Sequence, residues 1–152
     1  MLKNPIIAIV AFVVIGLVIA AASIQTIGLT AAISIPEPLA DGFRAWNIQA
    51  PGVLAWDTVV VYGLGIGLFS FVALTAAYRF LFPATVTSFA AFIAGVLLMA
   101  HAIVPMISGM PASLFNARPW SSYGFEIAVI IAALTAFLTA KRFGYSGSSQ
   151  KP

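Results

Sequence analysis

Long apolar runs at about 6–27, 56–78, 86–107 and 123–140 follow one another along the chain, separated by clusters of proline, glycine and polar residues. Pro36, Pro38, Asp41 and Gly42 open the first gap, and Pro51 with Gly52 closes it. Pro83 marks the second gap, and Pro111, Asn116 and Pro119 mark the third. Each run has about the length of ~20 residues that a helix needs to cross ~30 Å of hydrocarbon. None alternates apolar and polar residues over ~10 positions as a barrel strand does, so the runs read as helices that satisfy their own backbone groups. The pattern predicts an all-α integral membrane protein, with four transmembrane helices bundled over residues 1–143 and a short polar tail at 144–152. A second reading of the first run is a cleaved signal peptide, with Lys3 as its basic region, 6–19 as its apolar stretch and Ala20-Ala21-Ala22 as its cleavage site. Apolar character that continues through Ile24, Ile27 and Leu29 favours a full crossing.

Composition sharpens this picture. Apolar side chains make up 62% of the 152 residues and charged ones 7%, with a mean hydropathy of +1.08, whereas soluble domains carry charge at roughly 25% of positions. A water-facing catalytic domain is excluded, because so few charges cannot coat one. The absence of cysteine excludes disulfides, thiolate metal centres and cysteine nucleophiles. With a single histidine, no metal site is self-contained, and a haem would have to be shared with another chain. The pI of about 9.6 is not a nucleic-acid signal, because the cations are scattered singly along the chain.

Their placement reports orientation. Lys3, Arg79, Lys141, Arg142 and Lys151 fall on one side of a four-span arrangement. Arg44 and Arg118 fall on the other, with Glu37, Asp41, Asp57, Glu126 and the tryptophans Trp46, Trp56 and Trp120. The positive-inside rule then places both termini in the cytoplasm and the 34–55 and 108–122 loops outside, at the cell membrane.

Few residues can carry chemistry. Asp57 stands at the outer mouth of the second span, where an acid favours the helix dipole. It is also a candidate entry carboxylate for protons or cations, with Tyr62 as the next hydroxyl inward. His101 lies well inside the third span, about 9 Å from its outer end at 1.5 Å per residue, and needs a polar partner there. It is a candidate for a structural hydrogen bond, for a haem shared with a partner, or for a quinone pocket or proton path, since imidazole exchanges protons near neutral pH. Pro105 should bend the helix beside it and free a carbonyl. Gly63 and Gly67 share a helix face and permit close packing or a π-bulge, and Ala91 with Gly95 on the third span offers a complementary face. Glu126 is expected to pair with Arg118 at the interface. No nucleotide loop, metal-ligand cluster or set of residues for covalent catalysis is present in the sequence.

The second span, from Val59-Val60-Val61-Tyr62-Gly63-Leu64-Gly65-Ile66 to Phe69, Phe71 and Val72, resembles the third helix of the respiratory complex I subunit 6 (J) family, written V-Y-x-G-A-I-x-V-L-F-x-F-V. Gly63 directly follows the tyrosine, where one intervening residue is usual. Asp57-Thr58 is similar to the D-T-x-x-E element of the related small subunits of Mrp antiporters and membrane-bound hydrogenases, with Val61 at the place of the glutamate. The resemblance implies a helical subunit beside the antiporter-like channels of an ion-translocating complex, with Tyr62 and Gly63 as the residues to test.

The expected function is a small non-catalytic subunit of a membrane complex that moves electrons or ions, with the lipid bilayer and other membrane subunits as partners. The alternatives are a haem- or quinone-binding anchor centred on His101 and a small homo-oligomeric transporter or channel assembled through Gly63 and Gly67.

Overall fold

A computed structural model describes residues 4–108 and 123–143, and every element among them is a helix. Helix α1 (Pro5–Thr30) starts behind Asn4, whose Oδ1 accepts the Ile6 N–H at 2.9 Å, with Pro5 in the first turn, where no donor is needed. It continues past 27 to Thr30. The 34–55 segment, expected as a loop, holds the short helix α2 (Glu37–Ala45). Glu37, Asp41 and Arg44 share one side of α2, with Asp41 and Arg44 paired, and Leu39, Phe43 and Trp46 share the other. Asn47 (φ 54°) then turns the chain, asparagine being among the few residues that hold a left-handed conformation.

Helix α3 (Gln49–Phe80) begins well before the expected position near 56. Pro51 falls in its first turn, where a missing N–H costs nothing, so the Pro51-Gly52 pair starts a helix instead of closing a loop. Helix α4 (Val86–Ile107) is capped by Thr85 and Ser88, each side chain bonded to the other's backbone N–H at 3.1 Å. Helix α5 (Gly124–Arg142) completes the set. Helices α1, α3, α4 and α5 are each long and apolar enough to cross a membrane. Their many exposed isoleucine, valine and leucine side chains are compatible with lipid contact.

The tightest crossing joins α1 to α4. A Cβ on Gly16 would lie 2.4 Å from the Phe92 carbonyl oxygen, and one on Gly95 would lie 2.3 Å from that of Val13, so the two backbones touch. The expected pairing of Gly63 and Gly67 with Ala91 and Gly95 is therefore not formed. Gly95 is taken by α1, Ala91 is buried in the core, Gly67 faces Ala128 and Ala132 of α5, and Gly63 has only its own helix's Thr58 carbonyl close by. Small residues direct packing here as expected, but Gly16 supplies the closer match.

At the end of the bundle that carries Arg79, Lys141 and Arg142, here the basic end, the core is aromatic. Phe12 lies 5.3 Å from Tyr78 and 5.6 Å from Phe82 between ring centroids, and Phe137 bridges Tyr78 and Phe89. Alanines 133, 136 and 140 of α5 close over this core without exposed surface.

Candidate functional site

The opposite end departs from regular α-helix. Three π-helical turns occur among the described residues, Asp57–Val61 and Gly63–Gly67 in α3 and Met99–Ile103 in α4. Each is closed by a bond to the fifth residue back: Tyr62 N–H to the Asp57 carbonyl, Leu68 N–H to that of Gly63, and Val104 N–H to that of Met99. Pro105 explains the third. Its ring cannot approach the His101 carbonyl as an α-helix requires, and a wider turn just before it relieves the clash. In α3, glycines at 63, 65 and 67 weaken the α-helical preference. Gly65 also lets α1 approach, since a Cβ there would stand 2.8 Å from Ile27 Cγ1 and 3.0 Å from Thr30 Oγ1. The Thr30 hydroxyl lies 2.7 Å from the Val61 carbonyl oxygen and donates to it, tying α1 to α3 at the junction of the two turns.

Each π turn adds a residue and rotates the residues after it by about 100° relative to an unbroken helix. Tyr62, between two such turns, and His101, inside the third, face one cavity of about 280 Å³. Ala20, Ile24 and Ile27 of α1 form one wall, Met99, Ala100 and Val104 of α4 another, and Phe125 of α5 closes the third side. The Phe125 ring meets Tyr62 edge-on at 5.7 Å and His101 edge-on at 6.1 Å. The cavity lies beyond the Gly16–Gly95 crossing, where α1 and α4 no longer touch backbone to backbone.

His101 finds its polar partner in Glu126. Nε2 lies 2.9 Å from Glu126 Oε1, and both side chains are largely buried, 18% and 15% exposed. The carboxylate oxygen stands off the ring's N–H axis, so the contact is one of charge and proximity and not an aligned hydrogen bond. Glu126 was expected beside Arg118, which lies outside the described residues. The clue in the sequence was that Glu126 is the one acid in the fourth apolar run, on the side of the bundle to which His101 is closer.

Asp57 does not line the cavity; its carbonyl closes the first π turn. The expected route from Asp57 through Tyr62 thus gathers only Tyr62 and His101 at one place. Phe125, Met99, Gly16 and Gly65 were not anticipated. Gly16 with Ala20, four apart on one face, was the small-residue signal that would have found the first crossing.

Within this chain the site does not suit a haem, because the Nε2 nitrogen that would bind iron is held against a carboxylate. Among the described residues, no group of three His, Cys, Asp or Glu side chains is placed to hold a metal ion. What the arrangement offers is an imidazole at the edge of an aromatic and aliphatic chamber, with a carboxylate beside its Nε2. No family model, curated protein or solved structure matches this chain, so the likeness of the second span to the complex I subunit family rests on the residues of that span alone.

Proposed function

We propose that this chain is a multi-pass protein of the cytoplasmic membrane, with both termini inside, that serves as a small non-catalytic subunit of a larger assembly moving electrons or ions. The observation that carries the reading is the buried His101–Glu126 pair in an otherwise apolar bundle. Intramembrane ionisable groups are expensive and are kept where a proton, ion or ligand is handled. One such pair does not by itself make a route across the membrane: below it, towards the basic end, the core packs Phe12, Leu74, Phe92 and alanines around the hydroxyls of Ser70, Tyr78 and Ser88, and no acid, histidine or lysine is buried there among the described residues. Continuation of any route therefore falls to neighbouring chains. The likeness of the second span to the complex I and Mrp small subunits points the same way, and the π turns on either side of Tyr62, Asp57–Val61 and Gly63–Gly67, fall on the residues that carry it.

Isolation of the full chain in mild detergent tests this. Partner chains should co-purify in fixed ratio, and disruption of the His101–Glu126 pair should lower the activity of the assembly without dissociating it. A monodisperse single chain that carries ion flux in liposomes unaided would overturn the reading in favour of an independent transporter.

A further inference from the structure

We propose that the chamber beside His101 binds the headgroup of a quinone-class lipid, a neutral ring with hydrogen-bonding oxygens on an apolar tail. The proposal deepens the reading above and rests on its placement of the bundle in a bilayer.

Size comes first. At about 280 Å³ the chamber falls just below the ~300–1,000 Å³ of pockets that enclose drug-sized ligands, which suits one substituted ring and leaves a tail outside. Shape agrees, because the Phe125 and Tyr62 rings and the flat side of α1 at Ala20 bound the space. Access is lateral. Ile24, at the chamber's α1 wall, is 46% exposed on the surface compatible with lipid. A ligand dissolved in the hydrocarbon can therefore enter without crossing water.

Charge selects the headgroup. An imidazolium with a carboxylate is neutral as a pair, and so is an imidazole with a carboxylic acid, so the pair itself offers no net charge to an anionic or a cationic headgroup. The pair nevertheless presents both a donor and an acceptor. His101 is the member of the pair that lines the chamber: a quinone carbonyl accepts from its N–H, and a quinol hydroxyl donates to its unprotonated ring nitrogen. Both forms of one ligand are thus accommodated by a proton shift within the pair, whereas a fatty acid or an alkylamine brings an uncompensated charge into a buried site.

Photolabelling of the full chain in nanodiscs with an azido-ubiquinone, competed by ubiquinone-1, tests the proposal. Labelling should saturate, map to 24–27 and 99–104, and be displaced by ubiquinone-1 but not by decanoic acid or decylamine at the same concentration. Ala100→Leu, which fills the chamber from α4, and Ile24→Trp, which closes its lipid-facing side, should each reduce specific labelling about tenfold or more. His101→Leu should reduce it by about tenfold through loss of the hydrogen bond from the imidazole to the ring oxygen. Should Ala100→Leu fail to fold, Ile24→Trp carries the test, because its side chain already stands half exposed. Labelling that does not saturate, that survives both filled variants, or that decanoic acid or decylamine displaces equally would overturn the proposal. Partner retention is read separately. Quinone labelling of a chain that purifies alone removes the subunit reading and keeps this one, and a stable complex without specific labelling does the reverse.

Discussion

The two ends of this bundle are built from the same kinds of residue to opposite effect. At the basic end, regular α-helices bring Phe12, Tyr78 and Phe82 into contact, and alanines of α5 close over them with no exposed surface. At the opposite end, three π turns shift the helices out of register, and a tyrosine, a histidine and a phenylalanine surround a chamber instead of filling a core. Aromatic content does not distinguish the ends. Helix register does, because a ring directed at another ring closes a core and a ring rotated by about 100° opens one. A polar site in a small membrane bundle can thus be made by giving up backbone regularity at one end while packing holds the other.

The contrast between the ends breaks most severely at the crossing that separates them. Gly95→Leu drives a side chain into the Val13 backbone, which cannot yield as a flexible side chain would, and should cost more than about 3 kcal/mol. Loss of folded protein in detergent, followed by helical circular dichroism on heating, checks it. Phe12→Ala attacks the closed end alone. It should cost about 3 kcal/mol, mostly as an unfilled cavity since lipid offers little transfer gain, and should leave labelling of the chamber unchanged if the protein stays folded.

Glu126→Ala attacks the open end and should cost about 1–3 kcal/mol by stranding His101. A double-mutant cycle with His101→Ala should recover a coupling of about 1 kcal/mol, and a zero coupling would show that the pair is not a functional unit of the fold. Thr30→Val leaves the Val61 carbonyl without its hydroxyl and should cost about 1 kcal/mol. Amide exchange should accelerate at 61–67 and not at 74–80, which would confine the effect to one end. The smallest change is Lys141→Gln, which removes a cation over the Phe137 ring at 5.4 Å and should cost less than about 1 kcal/mol by thermal melting.

The four long helices were largely legible in the sequence, the aromatic contacts of the closed end were not, and the open end was legible only in its ingredients. Four apolar runs and their punctuation marked the helices because the bilayer's thickness imposes a length that composition alone can report. Pro51 misled, since the same residue ends a loop or opens a helix according to whether an N–H is needed at its position. Tyr62, His101 and the glycines of α3 were recognisable as unusual. That they share a chamber was not, because their direction depends on where an extra residue enters the helix, and the pattern of apolar residues is the same on both sides of a π turn. The approach of Glu126 to His101 was not legible either, because it joins two helices whose relative rotation the sequence does not state.

The backbone contact at Gly16 and Gly95 has a mechanical corollary. With no side chain to compress between them, α1 and α4 meet at a hard fulcrum, and tilting one against the other works as a see-saw: widening on the His101 side requires narrowing on the Phe12 side. A cavity of about 180 Å³ between Pro5, Ala8 and Ile9 of α1 and Thr85, Thr87 and Ser88 at the start of α4 leaves space for that narrowing. Void at one extremity is thereby exchangeable for void at the other, with the glycine contact as the fixed point.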